Sequence, residues 1–183
     1  MVVADSIDGF QNAIADAVSS NGGHVSIYVP DGATVVGQLS IPEGATVNIS
    51  SDSSTPTLLG RRLAGQQPHL SGSANAIIFD GGGSSRIFDV KGRLRLSGVT
   101  IRNGRAQYGG CILISANAVL ELNDATISDC TASAGGDIIG DAYGGGVYSS
   151  IGSSMTLTDV TVKRCAATHS NVGKAHGGAM YVI

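Results

Sequence analysis

The feature that most constrains this chain is a repeat in its second half. The segment LRLSGVTIRNG at 94–104 matches LELNDATISDC at 120–130 and MTLTDVTVKRC at 155–165, at offsets of 26 and 35 residues. Leu94, Leu120 and Met155 correspond, as do Leu96, Leu122 and Leu157; Val99, Ala125 and Val160; and Ile101, Ile127 and Val162. A second element follows each match: GGCILI at 109–114, GGGVYS at 144–149 and GGAMYV at 177–182. Each unit therefore reads as strand, two-residue turn, strand, variable loop, Gly-Gly, strand. Alternate side chains of a strand share a side, and one such unit cannot bury its apolar positions alone. Stacking units in register joins those positions into continuous aliphatic ladders. The turns Ser97-Gly98, Asn123-Asp124 and Thr158-Asp159 then fall at one corner and the double glycines at another. The variable loop, such as 131–143, absorbs the unequal spacing. The expected architecture is all-β: a parallel solenoid with three strands per coil.

Composition agrees. Of 183 residues, 27 are Gly and none is Trp, with three Phe and five Tyr, yet 42% are hydrophobic. Such a chain builds its core from small and branched aliphatics. At 14% charged residues it is no self-repelling disordered segment. A net charge of −3 excludes a uniformly basic nucleic-acid binder. No apolar run approaches the roughly 18 residues of a membrane helix, so no transmembrane segment is expected. Met1-Val-Val-Ala-Asp5 lacks the basic start and apolar run of a signal peptide, so either the protein is not secreted by that route or this is an internal piece of a longer chain. The chain reads as a single domain, 1–183.

Residues 5–21 read as the one helix. Asp5 is its expected cap, Ile7, Phe10, Ile14, Ala17 and Val18 its apolar face, and Asn21-Gly22-Gly23 its stop. It is expected to shield the edge of the first coil. Coils then occupy 24–183. Strands at 25–29, 34–38, 39–41 and 45–49 are separated by Pro30-Asp31-Gly32 and Pro42-Glu43-Gly44 turns. Residues 50–75 read as an irregular insertion. The chain stops at Tyr181-Val182-Ile183 inside a strand, so the C-terminal coil is expected to be incomplete, with further coils or self-association through that end.

The run FQNAIADAVSSNGGHVSIYVPDGATVVGQLSIPEGATVNIS resembles the opening of pectin-lyase-like right-handed parallel β-helix proteins. The repeats GVTIRNG…GGCILI, ATISDC…GGGVYS and VTVKRC…GGAMYV are similar to a surface-protein subgroup that includes the polymorphic outer-membrane proteins. The resemblance covers nearly the whole chain except about 50–75. It implies a right-handed β-helix at the cell surface or outside the cell. It specifies fold more than function, because the fold hosts lyases, hydrolases, adhesins and inert stalks.

Chemistry-bearing motifs are sparse. Glycan hydrolysis needs two carboxylates about 5–10 Å apart, and no Asn-Thr-Asp, Asp-Asp or Gly-His-Gly motif is present. His176 beside Gly-Gly is the nearest approach to a catalytic motif. Asp137 and Asp141 share a loop that could hold a cation, with solvated loop acids as the alternative. Cys165, His169 and His176 have loose metal-like spacing without a fourth ligand. No cofactor and no metal site is expected. Charge is segregated: 1–60 carries −6, 61–105 carries +6 and 106–183 carries −3. Arg93, Arg95 and Arg102 should point outward as a belt for sulfated or uronic polysaccharide, unless Arg95 merely stacks over Glu121. Thr100, Thr126 and Thr161 form an outward column whose charged surroundings argue against an ice-binding face. Cys130 and Cys165 share a rung and are expected as stacked thiols, or as a disulfide in an oxidising compartment.

The favoured ligand face carries Phe88, Leu113, Tyr148 and Tyr181, each following an inward residue. Sugar rings pack on Tyr faces. The alternative is a register one residue off, with the tyrosines in the core. The functional expectation is a non-catalytic β-helix scaffold, adhesin or glycan-contacting surface module. The competing expectation is a fragment of a polysaccharide lyase or glycoside hydrolase, with an ice-binding solenoid third.

Overall fold

The computed structural model describes residues 2–3, 6–20, 22–51, 76–134, 140–169 and 173–183. These residues form an all-β protein with one helix, and every strand pairing is parallel. The insertion expected at 50–75, Asp5, Asn21 and Asp137 fall wholly or mainly outside the described residues.

The repeats pair as their sequences align. Strands Arg93–Arg102, Val119–Ser128 and Ser154–Lys163 lie side by side, with Leu94 opposite Leu120, Leu120 opposite Met155, and Ile101 opposite Ile127. Each long strand bends at a left-handed residue: Gly98, Asp124 and Asp159, with φ of 68°, 50° and 52°. Thr46–Ser51 accordingly pairs only with the first half of Arg93–Arg102, and Ile77–Asp80 only with the second. A second left-handed column follows at Asn103, Asp129 and Arg164. There Arg164 donates two bonds of 2.6 and 2.8 Å to the Asp129 carboxylate, tying adjacent repeats together at a strained corner.

The variable loops hold more structure than the sequence suggests. Arg105–Ala106, Thr131–Ala134 and Ala166–His169 form their own three-stranded sheet, and Ala142–Tyr143 pairs with Ala175–His176. These strands bury alanines such as Ala132 and Ala134. Small side chains leave a weak hydrophobic signature, so the period of two was hidden. The reading of 131–143 as a loop is thereby corrected.

The remaining sheet runs Leu39–Ile41, Phe88–Val90, Ile112–Ile114, Val147–Ser149 and Met180–Val182. Its register places Phe88 opposite Ile112, not opposite Leu113. Phe88 is fully buried, and the outward partner of Leu113 is Asp89. Phe88 is therefore a core residue and no part of the ligand face. Inside, Phe10, Phe79 and Phe88 meet edge to face, with centroids 5.8 and 5.0 Å apart.

The helix spans Ile7–Ser20. The Ser6 hydroxyl accepts a 3.3 Å bond from the Gly9 N–H, as a capping side chain does. Phe10, Ala13, Ile14 and Ala17 are buried, while Val18 lies 45% exposed and does not join the apolar face. Phe10, Ala13 and Ile14 belong to one core cluster that continues as far as Val147. Val2–Val3 adds a short parallel strand against His24–Val29. At the opposite end Met155, Leu157, Val160 and Val162 are only partly buried, and no strand among the described residues pairs beyond them.

Candidate functional site

The five-stranded sheet turns one column of side chains outward: Ser40, Asp89, Leu113, Tyr148 and Tyr181. Ile112, Ile114 and Val147 on either side of that column are fully buried. The tyrosines are thus on the surface side of the sheet, half-exposed, as the alternation required.

A second column stands beside the first. Tyr108 pairs with Tyr143, and Tyr143 with His176, each immediately before a Gly-Gly corner. The first glycine of each corner, at 109, 144 and 177, has φ near 60°. A Cβ there would lie 1.9 to 2.3 Å from a carbonyl oxygen of Ile112, Val147 or Met180. Glycine alone permits so sharp a fold of the chain, and the fold brings the two columns into contact. Tyr108 meets Tyr148 at 5.4 Å and Tyr143 meets Tyr181 at 4.9 Å between centroids. Along its own column Tyr143 stacks between Tyr108 and His176, at 5.5 and 4.7 Å with ring planes nearly parallel. Tyr148 and Tyr181 stack at 5.9 Å. Each stacked pair covers one face of both rings. Tyr143, covered on both sides, offers its edge and hydroxyl.

Polar groups border the rings. Asp141 accepts a 2.7 Å bond from the Lys174 N–H and a 2.9 Å bond from the Tyr143 hydroxyl, and one of its oxygens lies 3.7 Å from His176 Nε2. The Lys174 bond first, then the Tyr143 bond, holds Asp141 below the usual carboxylate range; the same Tyr143 bond raises the phenol. At the other end, Arg86 donates to the carbonyl oxygens of Tyr108 and Gly109. Burial lowers its guanidinium, and the charge of Asp89 opposes that effect. Among the described residues no three His, Cys, Asp or Glu side chains are placed to hold a metal ion.

The other sequence candidates lie elsewhere. Arg95 pairs with Glu121 at 2.8 Å and Arg102 with Asp80 at 2.8 Å. Arg93 is exposed. A groove of about 350 Å³ beside Arg95 is lined by Asn48, Ser50, Ser97, Glu121 and Asn123 and contains no ring. Cys130 is bonded to Cys111, not to Cys165, with Cα atoms 5.5 Å apart. Cys165 is the in-register neighbour of Cys130 but remains a free thiol, raised mainly by burial. The correction has a simple geometry: Cys111, in the last strand region of one repeat, faces Cys130, in the next, across the interior. In the next repeat the place facing Cys165 is Gly146.

Tyr108, Tyr143 and Asp89 were not singled out from sequence. The first two carried a legible signal, because Tyr-Gly-Gly at 108–110 and 143–145 aligns with His-Gly-Gly at 176–178. Comparison with protein-family models, curated proteins and solved structures finds no match to this chain. No helix among the described residues is long and apolar enough to cross a membrane.

Proposed function

We propose that this protein is a right-handed parallel β-helix of the pectin-lyase-like kind, acting at the cell surface or outside the cell as a non-catalytic scaffold that contacts glycan. In-register parallel pairing of successive repeats, with recurrent left-handed corners, supports the helical coil. The observation that carries the function is the pair of abutting aromatic columns. Elsewhere the outward positions of the long strands are polar, as at Asn48, Arg95, Glu121 and Thr156. Here Leu113, Tyr148 and Tyr181 stand outward with Tyr108, Tyr143 and His176 beside them. Tyrosine gives an apolar body and a hydroxyl at its edge, the combination suited to a sugar's C–H and O–H groups. The test is retention of the full chain on glycan arrays and in affinity gels, for the parent and for Tyr148→Ala and Tyr181→Ala. Unchanged retention of both variants retires the site.

A second reading, polysaccharide cleavage, draws on the Asp141, Tyr143 and His176 cluster. It ranks lower because Asp141 is held ionised and Tyr143 held protonated. A catalytic acid needs a carboxyl raised in pKa, and a phenolate base needs a lowered phenol. Incubation with pectate, alginate and neutral glycans, with and without calcium, decides it by the appearance of reducing or unsaturated ends.

A further inference from the structure

We infer that Asp89 is the polar anchor of this face and that the ligand is a neutral, hydroxyl-donating oligosaccharide lying across the strands. The inference rests on the glycan-contact reading above and adds to it the ligand class and a specificity residue.

The Asp89 carboxylate is unusual in this molecule. Its side chain is only 17% exposed, its Oδ1 is buried without a hydrogen-bond partner, and its Oδ2 lies 3.9 Å from Lys91 Nζ, beyond hydrogen-bond range. By contrast Asp80, Asp129 and Asp141 each accept at least two hydrogen bonds. A half-buried carboxylate without donors carries a desolvation cost that a structural role would not require. Asn48 Oδ1 is also unpartnered, but its amide nitrogen bonds Ser26 and the groove that it lines contains no ring.

The position of Asp89 supplies the reason. It is in the same outward column as Leu113, Tyr148 and Tyr181, one strand below Leu113. Strand spacing puts it about 10 Å from Tyr148 and about 14 Å from Tyr181. That span exceeds one sugar ring, so a ligand touching both ends is an oligosaccharide. The aliphatic Leu113 between them forms an apolar ledge. Oδ1 is buried, so a donor arriving from outside meets Oδ2, which also has no hydrogen-bond donor of its own. What Asp89 lacks is a donor, and sugar hydroxyls are donors. Uronates and sulfates bring acceptors and like charge instead, against both Asp89 and Asp141. Lys91 Nζ, 3.9 Å away, and the charge of Arg86 offset that of Asp89.

The experiment compares the parent chain, Asp89→Ala, Asp89→Asn and Tyr148→Ala on neutral xylan, mannan and β-glucan and on acidic pectate, alginate and heparin. The expected result is retention of the parent by at least one neutral glycan. Asp89→Ala then loses about tenfold or more, or about 1.4 kcal/mol, and the shape-preserving Asp89→Asn is weakened in the same direction. The thermal midpoint of Asp89→Ala is expected unchanged or higher, since an unpaired carboxylate is removed. If Tyr148→Ala loses retention while both Asp89 variants keep it, or if only acidic glycans retain the parent, the anchor assignment fails and the aromatic site stands. A lower midpoint for Asp89→Ala with unaltered retention makes Asp89 structural and also overturns the inference. Absence of retention on every glycan, or retention indifferent to Tyr148, overturns both readings.

Discussion

Aromatic rings are used in two opposite ways in the two halves of this protein. All three phenylalanines lie inside the helix-covered half, where Phe10, Phe79 and Phe88 touch edge to face with no exposed surface to speak of. Four of the five tyrosines lie outside the later repeats, stacked at the glycine corners. The difference is one hydroxyl. A thin aliphatic interior has no partner for a phenol, whereas the surface lets the phenol bond Asp141 or solvent. Rings inside fill volume where the repeats are irregular, and rings outside mark where the repeats are regular enough to place them one above another.

That contrast can be broken from the inside first. Phe79→Ala is expected to lower stability by about 3–5 kcal/mol, read from denaturant midpoints, because it empties a site packed between two other rings. Next comes the disulfide that separates the two regions. Removing it with Cys111→Ala, in a Cys165→Ala background so that Cys130 has no second partner, is expected to cost about 3 kcal/mol. Phe79→Tyr tests the hydroxyl alone and is expected to cost about 1–3 kcal/mol, for want of a buried acceptor. On the outside, Tyr148→Phe is expected to leave the melting midpoint unchanged. If Tyr148→Phe proves as costly as Phe79→Tyr, the division into inside and outside rings is wrong.

A small effect is expected at the Asp129–Arg164 corner. The Arg164 bond holds Asp129 at a pKa of about 2, with Ser128 and Lys163 adding to the effect and burial opposing it. Asp141 is also lowered. Asp80 is lowered too, although burial pushes it up, because bonds from Gly82, Arg102 and Asn103 outweigh that. In all three the folded pKa lies below the unfolded value. The unfolded chain therefore binds more protons on acidification. The stabilisation is fully present above about pH 4 and is lost as pH falls below it, for Asp129 through about 2. Arg164→Gln should lower stability slightly near neutral pH, leave it unaltered near pH 2 and so flatten the acid limb, as thermal melts at stepped pH would show.

Much of this architecture was legible because the repeats announce their own register. Leu94, Leu120 and Met155 align in sequence and pair in space, and the turn residues Gly98, Asp124 and Asp159 adopt the backbone their identities suggest. Legibility failed where a side chain was too small or the repeat too degenerate. The alanines of Thr131–Ala134 look like loop, yet they line the interior. Ile87-Phe88 was misaligned by one residue because two adjacent apolar residues give no alternation to count, which hid Asp89 behind Phe88. Cys130 was paired with its vertical neighbour because sequence repeats show what stacks. They do not show what faces what across the interior.

The Cys111–Cys130 bridge has a mechanical consequence. It joins in-facing residues of two successive repeats rather than in-register neighbours, and its ends are 19 residues apart. A chain pulled from its two ends would shed its repeats one after another as the ladders between neighbouring strands open. The bridged turn would leave the stack as a closed ring, and its enclosed segment would never extend. In single-molecule stretching the oxidised protein should come out about 65 Å shorter than the reduced one, with the missing length belonging to the repeat on which the tyrosine columns begin.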